Sequence, residues 1–208
     1  MTQQAKKQNK GRLWLVALIA LFVLPMLASW ALFYYTQKTG KVWGTSNKGV
    51  LIRPMIALQD IDLALFGGGK VTLKEIETQW TMLYLMPDEC GQQCEQDIYH
   101  MRQVHVSVNK DFSRVQRLLV LKNPEQLQEK YAFLQYYNDM LIAQQDDTLQ
   151  PLRRQISLPD SDKLTGSVDG HIYIIDPQAN VMMVYEKGVD PAKVFKDLKK
   201  LLRISRIG

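Results

Sequence analysis

Apolar residues gather in one long block near the start of the chain and in short runs after it. Residues 13–35 carry no charge and are numerous enough to cross a bilayer as a single helix, with Pro25 tolerated inside it. Trp14, Trp30, Tyr34 and Tyr35 stand toward the ends of this block, where interfacial aromatics belong. A cleavable signal peptide is the competing reading, because Ser29-Trp30-Ala31 offers small residues at a cleavage position. The block outruns a typical signal core, which favours an uncut anchor.

Residues 36–56 are polar, with scattered Gly, Ser, Thr and Asn, and read as a tether. From residue 57 to 208 the pattern changes to short apolar runs between turn residues. Residues 61–66 predict a short strand closed by Gly67-Gly68-Gly69, and 80–86 a buried strand ended by Pro87, Asp88 and Glu89. A helix comes next, to about Val104, then a buried strand at 115–121. Asn123-Pro124-Glu125-Gln126 reads as a helix start, with an Asn cap, Pro in the first turn and a Gln able to bond back. Leu127, Tyr131, Leu134 and Leu141 would line one face of that helix. A polar loop holding Pro151 and Pro159 leads to a strand at 171–175, which turns through Asp176-Pro177-Gln178-Ala179-Asn180 into 181–185 as a hairpin. A last helix opens at Asp190-Pro191 and carries Val194, Leu198, Leu201 and Leu202 on one stripe.

Composition changes this picture little. The net charge of +5 invites a nucleic-acid reading, but Lys6, Lys7, Lys10 and Arg12 account for all but one unit of it. No basic domain remains, and no nucleic-acid partner is expected. Those four residues mark 1–12 as a basic tail on the cytoplasmic side. Lys38, Lys41 and Lys48 beyond the span weaken the charge argument for orientation. The residues beyond the span are enough for one domain with its own core.

The candidate chemistry lies in the only two cysteines, Cys90 and Cys94, spaced as Cys-Gly-Gln-Gln-Cys. Four residues on a helix bring two side chains onto one face, at a Cα separation of roughly 6 Å that a disulfide tolerates. The same pair would grip one soft metal ion. A helix N-terminus favours the thiolate and would make Cys90 the more reactive sulfur, while Asp88 and Glu89 oppose it. A disulfide-forming pair suits an oxidising compartment. The sequence holds no Gly-x4-Gly-Lys-Ser/Thr, Gly-x-Ser-x-Gly or His-Glu-x2-His, which excludes the phosphate-loop and common hydrolase motifs.

Strand, loop and cysteine-led helix in that order resemble the thioredoxin-like arrangement, and the element order predicts an α/β thioredoxin-like mixed sheet flanked by helices. With its N-terminal anchor, Cys-x3-Cys, the segment Tyr173-Ile174-Ile175-Asp176-Pro177 similar to Tyr-Leu-Ile-x-Pro, and a closing helix, the chain resembles the Sco/SenC family over residues 60–204. That resemblance implies assembly of the copper site of cytochrome c oxidase. It implies a bacterial inner-membrane protein with its domain in the periplasm and the oxidase's copper-binding subunit as partner. It further implies copper held by Cys90, Cys94 and a histidine from a Val-Asp-His segment. Here the matching segment is Ser167-Val168-Asp169-Gly170-His171, in which His171 falls one or three residues from the ligand position, depending on the alignment chosen. A one-residue shift on a strand turns a side chain to the other sheet face.

His100 and His105 read as ordinary helix residues, and Met82, Met86, Met101, Met182 and Met183 as core packing. Three functions stay open: Sco-like assembly by copper transfer or dithiol exchange, general envelope thiol–disulfide exchange, and a non-catalytic domain stapled by its disulfide. The acidic residues read mostly as solvated surface.

Overall fold

The computed structural model describes residues 3–39, 46–66, 68–121, 132–143, 150–159, 164 and 166–205. They fall into two compact units, Met1–Ser46 and Asn47–Gly208. In the first unit a single helix, α1 (Gln3–Thr39), contains Pro25. Its stretch Arg12–Lys38 is long and apolar enough to cross a membrane, and its large apolar side chains, Leu13, Phe22 and Leu24 among them, are exposed.

The second unit is built on a six-stranded mixed sheet. Its strands are β1 (Val50–Ala57), β4 (Trp80–Leu85), β5 (Val115–Val120), β6 (Leu141–Ala143), β7 (Ile172–Ile175) and β8 (Asn180–Tyr185), in the order β1-β8-β7-β4-β5-β6. The pairs β4/β5 and β5/β6 are parallel; β1/β8, β7/β8 and β4/β7 are antiparallel. A separate antiparallel ribbon joins β2 (Asp62–Ala64) to β3 (Lys70–Thr72).

Alternation along the central strands sends Trp80, Met82 and Tyr84 to one face of the sheet and Leu83 and Leu85 to the other. The first face is covered by α3 (Gln92–Ser107) and α5 (Pro191–Ile204), through Ile98, Met101, Val104, Val194, Leu198 and Leu202. The second is covered by the β2/β3 ribbon and two short helices, α2 (Leu73–Ile76) and α4 (Gln150–Gln155), through Leu63, Val71, Ile76 and Leu152. Strands buried on both faces read as near-continuous apolar runs, which is why β4 and β7 are legible in the sequence.

Several expectations are corrected. The second unit begins inside the stretch read as tether: β1 opens at Val50 and pairs with β8. Pro54 obscures this strand, and an edge strand is the place a sheet accepts proline. The helix expected from Asn123 lies outside the described residues as far as 131. Beyond them, Leu134 sits in a 3-10 turn (Ala132–Tyr136) and Leu141 opens β6 instead of continuing a helical face. The polar loop around Pro151 contains α4. Helix α3 runs on to Ser107. The closing helix is as expected: Asp190 caps it by accepting from the Ala192 N–H at 2.9 Å, and Pro191 stands in its first turn.

Candidate functional site

The last residues of β4 are fully buried, and Met86 prolongs its pairing by donating its N–H to Val120 O at 2.9 Å. Pro87, Asp88 and Glu89 then lift the chain out toward solvent before Cys90 turns back into the domain. Gly91 caps α3 from an extended conformation, having no side chain with which to accept a cap bond. Cys90 therefore precedes the helix and Cys94 lies in its first turn. This shifts the pair by two residues from a cysteine-led helix.

The two sulfurs are bonded to each other, with Cα atoms 5.1 Å apart. Both cysteines pack into the cluster that holds Tyr84, Met86, Ile98 and Ile172. Cys90 is 8 % exposed and Cys94 4 %, so the bridge is far more enclosed than the open corner that the turn residues predict. Between the two, Cys90 is the more exposed residue. Exposed Glu89, Gly91 and Gln92 form its rim.

Beneath the bridge the next turn of α3 buries an acid. Asp97 is 1 % exposed and accepts from the Gly188 N–H at 3.1 Å and from Gln93 Nε2 at 3.2 Å. Burial holds its carboxyl above the ordinary carboxylate range, against the opposing pull of those hydrogen bonds. Tyr84, buried beside it, has its hydroxyl pushed well above the usual phenol value, first by burial and then by the negative charge of Asp97. Reading the acids as solvated surface overlooks this residue. The available signal is its spacing, three residues after Cys94 on the face that carries Ile98, Met101 and Val104.

His171 ends the segment before β7, where the Gly170 N–H donates to Leu85 O at 2.7 Å. Its ring is buried, and Nδ1 lies 3.1 Å from Asp169 O. A carbonyl only accepts, so the ring proton sits on Nδ1 and Nε2 keeps the lone pair. Burial and the nearby positive charge of Lys187 hold the imidazole below its ordinary range, hence neutral. The ring centroid lies 6.4 Å from that of Tyr173, a residue of the cluster on the sheet face opposite Cys90 and Cys94. Asp169 is itself ion-paired with Arg153. Among the described residues no three His, Cys, Asp or Glu side chains come together as metal ligands.

His100 is a half-buried residue of α3, and His105 and the methionines lie where packing would put them. His105 is buried, stacks on Phe112 at 3.9 Å and donates from Nε2 to Val115 O at 2.7 Å. Met82, Met86, Met101 and Met183 are core residues, and Met182 packs at the edge of the core.

A family model described as the transmembrane-like, thioredoxin-like C-terminal domain matches residues 80–205. The chain belongs to this family. Solved structures share the thioredoxin-like fold of this domain. Apo Sco1 from Thermus thermophilus is 15 % identical, with 76 % of this chain and 100 % of that one covered at a TM-score of 0.58. Copper-bound ScoI from Arabidopsis thaliana is 18 % identical, over 72 % of this chain and 99 % of that one, at 0.57. A thiol:disulfide interchange protein from Bacteroides sp. is 10 % identical, over 73 % and 91 %, at 0.52. At these identities the likeness is one of fold, and the Sco-like resemblance is met at that level. No curated protein matches the chain by sequence.

Proposed function

We propose that this chain is a Sco-type thiol–disulfide exchange protein serving the copper-binding subunit of cytochrome c oxidase on the envelope side of a bacterial inner membrane. The observation that carries the reading is the Cys90–Cys94 bridge, closed at the start of α3 with Cys90 its more exposed residue. In the reduced protein the Cys90 thiolate attacks a disulfide of the partner, forming a mixed disulfide and expelling one partner thiolate. The Cys94 thiolate then attacks Cys90 and expels the second partner thiolate, closing the bridge. Two electrons pass from the pair to the partner.

Copper is suggested by the Sco relatives, among them the copper-bound ScoI of Arabidopsis. In the oxidised protein the two sulfurs are spent on each other, and among the described residues no three His, Cys, Asp or Glu side chains come together as ligands. Exchange is therefore favoured over ligation through His171. A pure staple is disfavoured because so short a loop removes little entropy from the unfolded chain.

Replacing both cysteines by serine in the organism and measuring cytochrome c oxidase activity tests the reading. Loss of activity is expected; full activity would contradict it. The Bacteroides relative supports the broader alternative of general exchange, and insulin reduction separates the two. Slow turnover fits a dedicated partner, and fast turnover fits the general enzyme.

A further inference from the structure

Helix α5 is basic on one side only. Lys193, Lys196, Lys199, Lys200 and Arg203 are all exposed, and at 100° per residue they fall within an arc of roughly 120°. Ile204, 68 % exposed, borders that arc. The helix contains one carboxylate, Asp197, and it is turned inward. Asp197 is 3 % exposed and accepts from the N–H groups of Lys48 at 2.6 Å and Gly49 at 2.9 Å and from the Tyr185 hydroxyl at 3.1 Å. Asp190 is occupied as the cap at the far N-terminal end.

The bonds at Asp197 fix where the chain enters the domain. Lys48 and Gly49, just before β1, are pinned to the inner side of α5. Only residues 40–46 separate Thr39, the last residue of α1, from Asn47, and a chain of that length spans less than about 30 Å when fully extended. A helix tethered so closely to a membrane-spanning segment works within reach of lipid headgroups. Juxtamembrane clusters of four or more basic residues are attracted to anionic leaflets, provided they approach to about one screening length, roughly 8 Å.

We infer that the basic face of α5 is a docking surface for anionic phospholipid headgroups, holding the domain down on the membrane that carries its anchor. The inference rests on α1 being a membrane span.

The test uses the full chain in nanodiscs of phosphatidylcholine alone or mixed with phosphatidylglycerol, with lysine acetylation read residue by residue. Lys74 on α2 is the internal reference, since α2 covers the opposite sheet face. Labelling of Lys193, Lys196 and Lys199 relative to Lys74 is expected to fall at least about threefold in the anionic discs and to recover in high salt. The combined variant Lys193→Gln, Lys196→Gln, Lys199→Gln should lose the protection of Lys200. Equal labelling in both lipids, or protection insensitive to salt, would overturn the inference while leaving the anchor intact. A chain that alkaline carbonate strips from membranes would overturn the anchor, and the docking surface with it.

Discussion

The Gly188 N–H donates to the Asp97 carboxylate at 3.1 Å, joining the loop before α5 to the second turn of the cysteine helix across 91 residues of sequence. That bond places a buried acid under the bridge and sets a pH dependence. The folded-state pKa of Asp97 is raised by burial, so the native state holds this proton more tightly than the unfolded chain. Its contribution to stability is present below the ordinary carboxylate range and is lost as pH rises through the raised value. Asp97→Asn keeps a hydrogen-bond acceptor and removes the charge. Urea denaturation should find this variant more stable than the parent at neutral pH, with the gap closing as pH falls toward about 4, the ordinary carboxylate value.

Buried histidines give the opposite trend. His105 and His171 both have pKa values lowered first by burial, so the unfolded chain takes up protons near its ordinary imidazole range, about 6.5, before the native state does. Stability from these residues is complete above that value and drains away as pH falls through it toward the lowered native values. Thermal melts should therefore show a Tm that falls as pH drops from about 7 to about 5. His171→Gln and His105→Gln together should flatten that slope.

Copper affinity separates two uses of the cysteine pair. Because His171 packs with Tyr173, His171→Ala should leave copper(I) binding by the reduced protein within about twofold of the parent, while Cys90→Ser abolishes two-thiolate binding. A large loss from His171→Ala in a copper(I) competition titration would return the histidine to the site.

Asp197 gathers three donors at the entrance to the domain. Asp197→Ala leaves the Lys48 and Gly49 N–H groups and the Tyr185 hydroxyl without this acceptor, and should cost roughly 2–4 kcal/mol, about 1 kcal/mol or more for each bond disrupted. Chemical denaturation of the full chain checks it, with Lys196→Ala on the outer side of the same helix expected to change stability by less than about 0.5 kcal/mol.

How much the sequence discloses depends on how local each signal is. The Asp190 cap with Pro191, the Asp176–Asn180 turn and the apolar runs of β4 and β7 are written within a few neighbouring residues, and each is found. Strand β6 is three residues long and begins at Leu141, which falls seven residues after Leu134 and so mimics helical periodicity. Strand β1 is broken to the eye by Arg53 and Pro54. Gly188 and Lys48, whose N–H groups donate to Asp97 and Asp197, stand 91 and 149 residues away, so the only nearby hint that these two acids are buried is their place on the apolar face of a helix. Arg117 is fully enclosed on β5 and reaches Asp139 at 2.5 Å, another pairing without a local signature. The cysteine pair itself is legible from spacing alone. Its enclosure depends on packing against Tyr84, Met86 and Ile172 and is not.

Trapping the mixed disulfide tests the central claim most directly. Reduced Cys94→Ser should accumulate a covalent adduct through Cys90 when offered the oxidised copper-binding domain of the oxidase subunit, because the second sulfur is missing and cannot release it. Cys90→Ser should yield almost none. An adduct that forms equally through Cys94, or no adduct from either variant, would contradict the account.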